Sequence, residues 1–367
     1  MFRFTSRSKL CSVAAVAASL LLTATGAVTA RAAAPLAVSA TPVSYTPWLL
    51  STTPDQFVYE IDQCGGLMYS VGRVSSIGQG SQTYTRGNAF SFSATNGTMT
   101  SWNPQANAPI RSIAFSPDCS IAYLGGSFTS IKGVSANGIA AVDTSTGALI
   151  QSFAHNASGE VNVVELVNGN LIAGGTFTAI NGAQRMRLAS LDPTTGVPTS
   201  YLTLQAAGGK VYNSQVSHSG DKLLIEGNFS TVGGVTRHQI AMLDLGASSA
   251  TLNNWYSNEF SQVCAISFYV RDAAWSPDDQ SIYVATTGAW PANGGQGGPR
   301  SGLCDAAAKF PATAQTVSHS WINYTGCDSL YAVEATSDTV YIAGHEGLLI
   351  CGKGESYRTS AGTQTPR

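Results

Sequence analysis

The sequence predicts an all-β fold of the β-propeller class, because a short motif recurs at a fixed period between apolar strands. Residues 126–133, 175–182 and 227–234 share the pattern Gly-x-Phe-Thr/Ser-x-Ile/Val-x-Gly. Their starts lie 49 and 52 residues apart, and a period near 50 is typical of propeller blades. The 38 glycines and a charged fraction of 11% suit a sheet-rich chain with many tight turns.

A strand is predicted before each copy of the motif, or before its looser equivalent, and six such strands indicate six blades. They are residues 58–62, 110–115, 161–166, 211–216, 270–275 and 330–334. A turn rich in Pro, Gly or Asp follows most of them and leads into a second apolar strand, which is the pattern of a β-hairpin. We therefore predict six four-stranded blades.

The outer strands show two further regularities. Asp143, Asp192 and Asp244 end the third strands of the central units, and we interpret them as turn residues whose carboxylates accept backbone N–H groups rather than as metal ligands. An aromatic residue marks the predicted fourth strands: Trp102, Phe153, Tyr201, Trp255 and Trp321. Trp48 fits the same slot, so residues 43–48 are expected to form the outer strand of the last blade and to close the ring.

The first 33 residues have the pattern of a secretory signal peptide. Arg3, Arg7 and Lys9 precede an apolar stretch at 13–28, and small residues follow at 30–32. An uncleaved anchor is the less favoured interpretation because the apolar stretch is short, and no later window is apolar enough to span a membrane. The chain is thus expected to be secreted, with a propeller at 34–356 and a disordered tail at 357–367.

Charge and cysteine content exclude several classes of protein. Signal cleavage removes four of the 19 Lys and Arg and none of the 21 Asp and Glu, so the cleaved chain has a net negative charge. A negatively charged chain binds nucleic acid poorly, because phosphate binding needs clustered cations. Six cysteines remain after cleavage, an even number that indicates disulfides. They allow 15 pairings, among which repeat position favours Cys64 with Cys119, Cys264 with Cys304, and Cys327 with Cys351. Without a close Cys/His cluster, no metal site is predicted.

The repeat resembles the delta-60 type β-propeller repeat of secreted bacterial proteins, often actinobacterial ones that carry PKD or sugar-binding modules. The resemblance rests on Gly-x-Phe-Thr-x-Ile-x-Gly followed by Ile/Leu-Ala-x-Val/Leu-Asp-x-x-Thr-Gly, and it is strongest over residues 110–245. It implies fold and compartment, and it transfers no active-site residues. The pattern is lost after His345, which is compatible with a truncated last blade.

Matching positions near the start of the six first strands form a column of long polar side chains. They are Tyr59, Arg111, Asn162, Tyr212, Arg271 and Tyr331. Such side chains can clamp a carboxylate or sugar hydroxyls, and the alternative interpretation is that they hydrogen-bond neighbouring blades around a water-filled channel. Trp290, in the Gly-rich loop of the fifth unit, is a further candidate that would either stack on a sugar ring or plug the blade face.

A second column contains three carboxylates, Asp62, Glu165 and Glu334, which are candidates for an acid/base pair or a cation site. The chain lacks the Gly-x-Ser-x-Gly, His-Glu-x-x-His and phosphate-loop motifs. The favoured hypothesis is a secreted, non-catalytic binding module for an extracellular carbohydrate or a cell-surface partner, without a cofactor. A polysaccharide hydrolase or lyase that uses the second column is the alternative.

Overall fold

The computed structural model describes residues 4–5, 43–50, 55–264, 266–288, 302–313, 315–324, 329–344, 357–358 and 364–365. Its regular structure is strand, apart from one 3₁₀ turn at Asn258–Ser261 in this part of the chain. Most of the predicted signal peptide and tail, Trp290, Cys327 and Cys351 lie outside the described residues.

The strands follow one another along the chain with short connections. The first part contains β1 (Phe4–Thr5), β2 (Trp48–Leu49), β3 (Phe57–Cys64), β4 (Leu67–Arg73), β5 (Ser76–Gln79), β6 (Gln82–Thr85), β7 (Ala89–Ser93), β8 (Ile110–Phe115), β9 (Ile121–Gly126), β10 (Ser130–Ile131), β11 (Val134–Ser135) and β12 (Ile139–Asp143). The middle contains β13 (Val161–Val167), β14 (Asn170–Gly175), β15 (Ala179–Ile180), β16 (Ala183–Gln184), β17 (Leu188–Leu191), β18 (Ala206–Ala207), β19 (Val211–Val216), β20 (Lys222–Gly227), β21 (Thr231–Val232), β22 (Val235–Thr236), β23 (Ile240–Leu245) and β24 (Ala250–Leu252). The last part contains β25 (Tyr269–Trp275), β26 (Ser281–Thr287), β27 (Ala307–Pro311), β28 (Trp321–Asn323), β29 (Leu330–Ala335), β30 (Val340–Gly344), β31 (Tyr357–Arg358) and β32 (Gln364–Thr365).

Six antiparallel units repeat along the chain, and the β-propeller prediction is confirmed. We call the first strand of each unit its inner strand: β3, β8, β13, β19, β25 and β29. The fourth and fifth blades are four-stranded, as β19-β20-β23-β24 and β25-β26-β27-β28. In the first three blades a one-residue bridge replaces the fourth strand, and the described part of the sixth blade is the hairpin β29-β30. Two short elements add to this pattern, since β1 pairs in parallel with β3 and β31 pairs with β32.

The hydrophobic core lies between consecutive blades. Five clusters of buried side chains each combine residues of two neighbouring blades, from the first pair to the fifth and sixth. Four of the predicted fourth-strand aromatics are buried in this way: Trp102, Phe153, Tyr201 and Trp255. Face-to-face burial of apolar surface therefore holds the blades together.

The glycine of the Gly-x-Phe motif is required by a close approach of two strands. A Cβ atom at Gly126 would lie 2.4 Å from the carbonyl oxygen of Pro109, which directly precedes the neighbouring inner strand. A Cβ atom at Gly175 would lie 2.1 Å from the carbonyl oxygen of Glu160, and one at Gly227 would lie 2.0 Å from that of Lys210. A side chain at any of these positions would therefore displace the backbone. The phenylalanines of the motif are buried between blades, which explains the rest of the repeat: Phe128, Phe177 and Phe229.

Strand β2 pairs with a hairpin of the first blade, and Trp48 does not occupy the slot predicted for it among the buried fourth-strand aromatics. That residues 43–48 complete the last blade stays a prediction. Trp48 and Leu49 pair with Gly78 and Ile77 of the hairpin β5-β6. Ala106 bridges in the same way to Ile131 of the next blade's hairpin. Leu49 and Ala106 are thus equivalent paired residues. The buried Trp102 lies four residues before Ala106, whereas Trp48 lies only one residue before Leu49. Trp48 is thus out of frame with the buried aromatics, and its side chain is exposed.

The aspartates at the ends of the third strands are turn residues in two of the three cases. The Asp143 carboxylate accepts hydrogen bonds from the N–H groups of Ser145 and Thr146 at 3.0 and 2.7 Å, and Asp192 accepts from Thr194 and Thr195 in the same way one repeat along. The hydroxyls of Ser145 and Thr146 and the Thr146 amide lower the pKa of Asp143 to about 2. Asp244 departs from the pattern, since its carboxylate accepts from the side-chain amide of Asn253.

Three arginines repeat in the outer part of the blades, a regularity that the sequence reading missed: Arg86, Arg185 and Arg237. Each guanidinium donates to the carbonyl of the preceding residue and to a carbonyl of the segment that follows the third strand. In the fourth blade Arg237 donates to Thr236 at 2.8 Å and to Asn253 at 3.0 Å. These side chains join the hairpin to the outer edge of its own blade.

Two disulfides join neighbouring parts of the repeat. Cys64 pairs with Cys119 between the first hairpin turns of the first and second blades, and Cys264 pairs with Cys304 within the fifth unit. Both pairings agree with those favoured by repeat position, while the third falls outside the described residues. Disulfides are typical of proteins outside the cytoplasm, where the thiols are not kept reduced.

Candidate functional site

All six inner strands contain a β-bulge at the same place. The pairing register shifts between Val58 and Glu60 in the first blade, and equivalent shifts occur in the five others. The residue skipped by the register is, in blade order, Tyr59, Arg111, Asn162, Tyr212, Arg271 and Tyr331. These are the six candidates of the first column. A bulge inserts an extra residue and changes the direction of its side chain, so the same backbone feature presents each of them.

The six bulge residues line one cavity of about 300 Å³. Its other lining residues are Glu60, Glu160, Lys210, Asn213, Asp272 and Ala332. The volume is at the lower end of the range for small-molecule sites, about 300–1,000 Å³. Since Tyr59 belongs to the first blade and Tyr331 to the sixth, all six blades contribute to this cavity. The structure thus brings the first column together, while ligand binding by it stays a prediction.

Arg111 is already neutralised within the cavity. Its Nε donates to Oε1 of Glu160 at 2.7 Å, and its guanidinium lies 4.2 Å from the centre of the Tyr59 ring. Glu160 comes from the third blade, so the ion pair also joins two blades. Because both side chains are partly exposed, the pair contributes little to stability, and its main effect is to fix the position of Arg111.

Arg271 occupies the equivalent position in the fifth blade, and within the described part of the chain its neighbours are aromatic rings and no carboxylate pairs with it. Its guanidinium lies 4.9, 5.8 and 5.3 Å from the ring centres of Tyr269, Tyr212 and Tyr331. Its Nε is buried and has no hydrogen-bond partner among the described residues. The ammonium of Lys210 lies 5.1 Å from the ring of Tyr212, on which the two cations therefore converge. We call Lys210, Arg271 and the three tyrosines the cation–tyrosine cluster.

Burial raises the pKa of Tyr212 above its ordinary value of 10.0, with a smaller effect from Tyr269 in the same direction. Arg271 acts in the opposite direction because a cation favours the ionised phenol. The Tyr212 phenol therefore stays protonated at neutral pH and is available to donate a hydrogen bond.

The residues directly after the bulges form a deeper level that links one blade to the next. Glu60 accepts from the N–H of Ile113 at 3.2 Å, and Asp272 accepts from the N–H of Val333 at 3.0 Å. The second oxygen of Asp272 accepts from the Asn213 amide at 2.6 Å, so Asp272 connects three blades. Glu60 and Asp272 are 4% and 6% exposed. Both carboxylates thus form hydrogen bonds that join neighbouring blades, and we call such an inter-blade hydrogen bond a latch.

Two neutral side chains, Ser112 and Asn162, also form hydrogen bonds from one blade to the next. The hydroxyl of Ser112 accepts from the N–H of Val164 at 3.1 Å, and the Asn162 amide donates to the carbonyl of Val211 at 2.8 Å. The interpretation that first-column residues bond to neighbouring blades therefore holds for Asn162 and for Arg111, through Glu160. It does not hold for Arg271 in the described part of the chain.

The three carboxylates of the second column do not line the cavity. Asp62, Glu165 and Glu334 lie further along their inner strands and pair in the ladder opposite Tyr69, Ile172 and Tyr341. Glu165 accepts a 3.4 Å hydrogen bond from Ser214 of the next blade. The cavity carboxylates are instead Glu60 and Asp272, which the sequence pattern does not predict, because strict alternation of side chains takes no account of a bulge.

Glu160 and Lys210 also escape prediction from the sequence, since each directly precedes the apolar residue at which its predicted strand begins. No group of three His, Cys, Asp or Glu side chains suited to a metal ion occurs among the residues that the structure covers. A helix long and apolar enough to cross a membrane is likewise not found in the described segments.

Comparison with a protein-family model agrees with the propeller fold. Residues 90–268, from the third strand of the first blade to just before the inner strand of the fifth, match the family model described as the Rax2 C-terminal beta propeller domain. Among solved structures the chain is similar to that of Saccharomyces cerevisiae Sqt1, at 8% sequence identity and a TM-score of 0.47, over 84% of this chain and 72% of that chain. No curated protein sequence matches it. The propeller architecture indicates a non-catalytic interaction module.

Proposed function

We propose that the protein is a secreted β-propeller that binds an extracellular carbohydrate in the cavity formed by the six bulge residues. The observation that carries this proposal is the convergence of one long polar or aromatic side chain from every blade on a single cavity of about 300 Å³. Tyrosine rings offer flat apolar surfaces to the faces of a sugar, and Asn, Arg and Tyr offer the hydrogen-bonding groups that its hydroxyls need.

Secretion is supported by the two disulfides, by the signal-like N-terminus and by the resemblance to secreted delta-60 propellers. Binding without catalysis is supported by the state of the cavity carboxylates. Asp272 is engaged by an amide and a backbone N–H, Glu160 by Arg111, and Glu60 by a backbone N–H. These groups fix the geometry of the cavity.

Glycan-array screening followed by titration calorimetry tests this function. Replacement of Tyr212 by Ala removes one wall of the cavity, and the expected result is at least a tenfold loss of affinity for any glycan that the array identifies. Tyr283→Ala is the matched control because Tyr283, in β26, also lies near a lysine ammonium, at 5.5 Å from Lys309, and does not line the cavity. Circular dichroism and thermal melting check that both variants are folded. Failure of the array to detect any glycan would overturn the proposal.

A further inference from the structure

We propose that the carbohydrate bound by this cavity is acidic, and that Lys210 and Arg271 recognise its anionic group; this inference rests on the proposed function. The charged side chains that line the cavity differ in whether another group of the protein already pairs with them. Three of them are cations, Arg111, Lys210 and Arg271, and three are carboxylates, Glu60, Glu160 and Asp272.

Arg111 and Arg271 make the contrast clear because they are the bulge residues of two blades. Arg111 has a carboxylate partner at 2.7 Å, and a second anion would have to compete with Glu160 for it. Arg271 has three tyrosine rings around its guanidinium and a buried Nε without a hydrogen-bond partner among the described residues. A buried polar group of this kind gains most from a ligand that completes its hydrogen bonding.

Tyrosine rings hold a cation without using its N–H groups. The attraction is to the face of the ring, so the planar donor fork of Arg271 stays available to a second partner. A carboxylate fits that fork in a bidentate manner, with hydrogen bonds roughly twice as strong as neutral ones. Lys210 lies near the Tyr212 ring as well, at 5.1 Å, and supplies a second positive charge on the same side of the cavity.

The cavity carboxylates do not offset this preference, because the protein already supplies their partners. Asp272 accepts from Asn213 and Val333, and Glu60 accepts from Ile113. Both are more than nine-tenths buried. The cation–tyrosine cluster is therefore the part of the lining suited to an added charge, and the charge that it suits is negative.

The test compares ligands that differ only in the acidic group. Oligogalacturonate and its fully methyl-esterified form have the same sugar rings, and a galactose oligomer carrying sulfate esters has the same charge in another geometry. We expect oligogalacturonate to bind about tenfold to a hundredfold more tightly than the methyl ester by titration calorimetry. We also expect this preference to weaken as the ionic strength rises, because salt screens partly exposed charges.

Arg271→Gln is expected to bring the ratio of acid to methyl-ester affinity down to within about threefold of unity. Arg271→Lys, which retains the charge without the fork, is expected to give an intermediate value. If Arg271 variants do not fold, Lys210→Gln provides the same test from the second cation. Lys309→Gln is the charge-matched control, since Lys309 lies near a tyrosine ring and is not part of the cavity.

The outcomes separate this inference from the function on which it rests. Equal binding of the acid and the ester, or tighter binding of a cationic amino-sugar oligomer, would overturn the inference and leave carbohydrate binding standing. Preference for the acid that survives both Arg271→Gln and Lys210→Gln would also overturn it. A preference for the sulfated oligomer that both variants remove would support anion recognition and identify sulfate as the anionic group. No binding of any of these oligomers, or of any glycan on the array, would overturn both proposals.

Discussion

Asp272 offers the sharpest test of how the blades are held together around the cavity. Its carboxylate lies in the fifth blade and accepts from the Asn213 amide in the fourth blade and from the Val333 N–H in the sixth, at 2.6 and 3.0 Å. The side chain is 6% exposed, so water cannot replace it freely. Asp272→Ala removes both acceptors and leaves the buried Val333 N–H and the partly buried Asn213 amide without these hydrogen bonds.

The expected cost follows from those two donors. Hydrogen bonds to a charged group contribute about 1.5–3 kcal/mol each, and relief of the desolvated carboxylate recovers part of that. We expect the free energy of unfolding to fall by about 2–4 kcal/mol. Ser112→Ala is the matched comparison, because its neutral hydroxyl bonds to the backbone of Val164 alone, accepting from the N–H at 3.1 Å and donating to the carbonyl at 3.4 Å. About 1–2 kcal/mol is expected there.

Urea denaturation measures both values, and amide hydrogen exchange followed by NMR locates them. The Val333 amide should lose protection in Asp272→Ala while the Val164 amide keeps it, and Ser112→Ala should give the reverse pattern. Unchanged protection of Val333, or an equal cost for the two substitutions, would show that burial between blades holds the sixth blade without this latch.

Three further outcomes follow from the structure. Replacing both Cys64 and Cys119 by serine opens a loop of 55 residues between the first two blades, and urea denaturation should show a loss of about 4 kcal/mol; a loss below about 1 kcal/mol would refute the chain-entropy argument. Arg237→Ala removes two hydrogen bonds to Thr236 and Asn253 and should lower the free energy of unfolding by about 2 kcal/mol in urea denaturation; a loss below about 0.5 kcal/mol would refute this structural role. The folded-state pKa of Asp143 is about 2, below the ordinary 3.8, so its contribution to stability is fully present above pH 3.8 and is lost as the pH falls through about 2; an NMR titration midpoint near 3.8 would contradict this.

The repeat predicted more of this structure than composition or charge did. Its spacing identified all six inner strands, and the repeat positions of Cys64, Cys119, Cys264 and Cys304 favoured the two pairings observed. It also aligned the six residues that line the cavity. Each of these features follows from equivalence between copies, which a single sequence displays directly.

Two features of the structure could not be predicted from the sequence repeat, because they depend on backbone geometry. The bulge after Val58 shifts the register by one residue, so both Tyr59 and Glu60 reach the cavity, and alternation of side chains gives no sign of this. The pairing of Trp48 with β5 was missed because a short strand contains too few residues for its pattern to select a partner. The repeated Gly-x-Phe glycine was the available signal, since it marks the place where the bulged strand approaches its neighbour.

The six bulges also bear on how the proposed ligand recognition can change. A bulged residue is additional to the ladder, so its side chain can vary without altering the pairing of its strand with the next. Such variety is already present at the six equivalent bulges, which carry Tyr59, Arg111, Asn162, Tyr212, Arg271 and Tyr331. Evolution, or a library randomised at these positions, can therefore obtain new ligand selectivity by single substitutions while the scaffold that carries them is conserved.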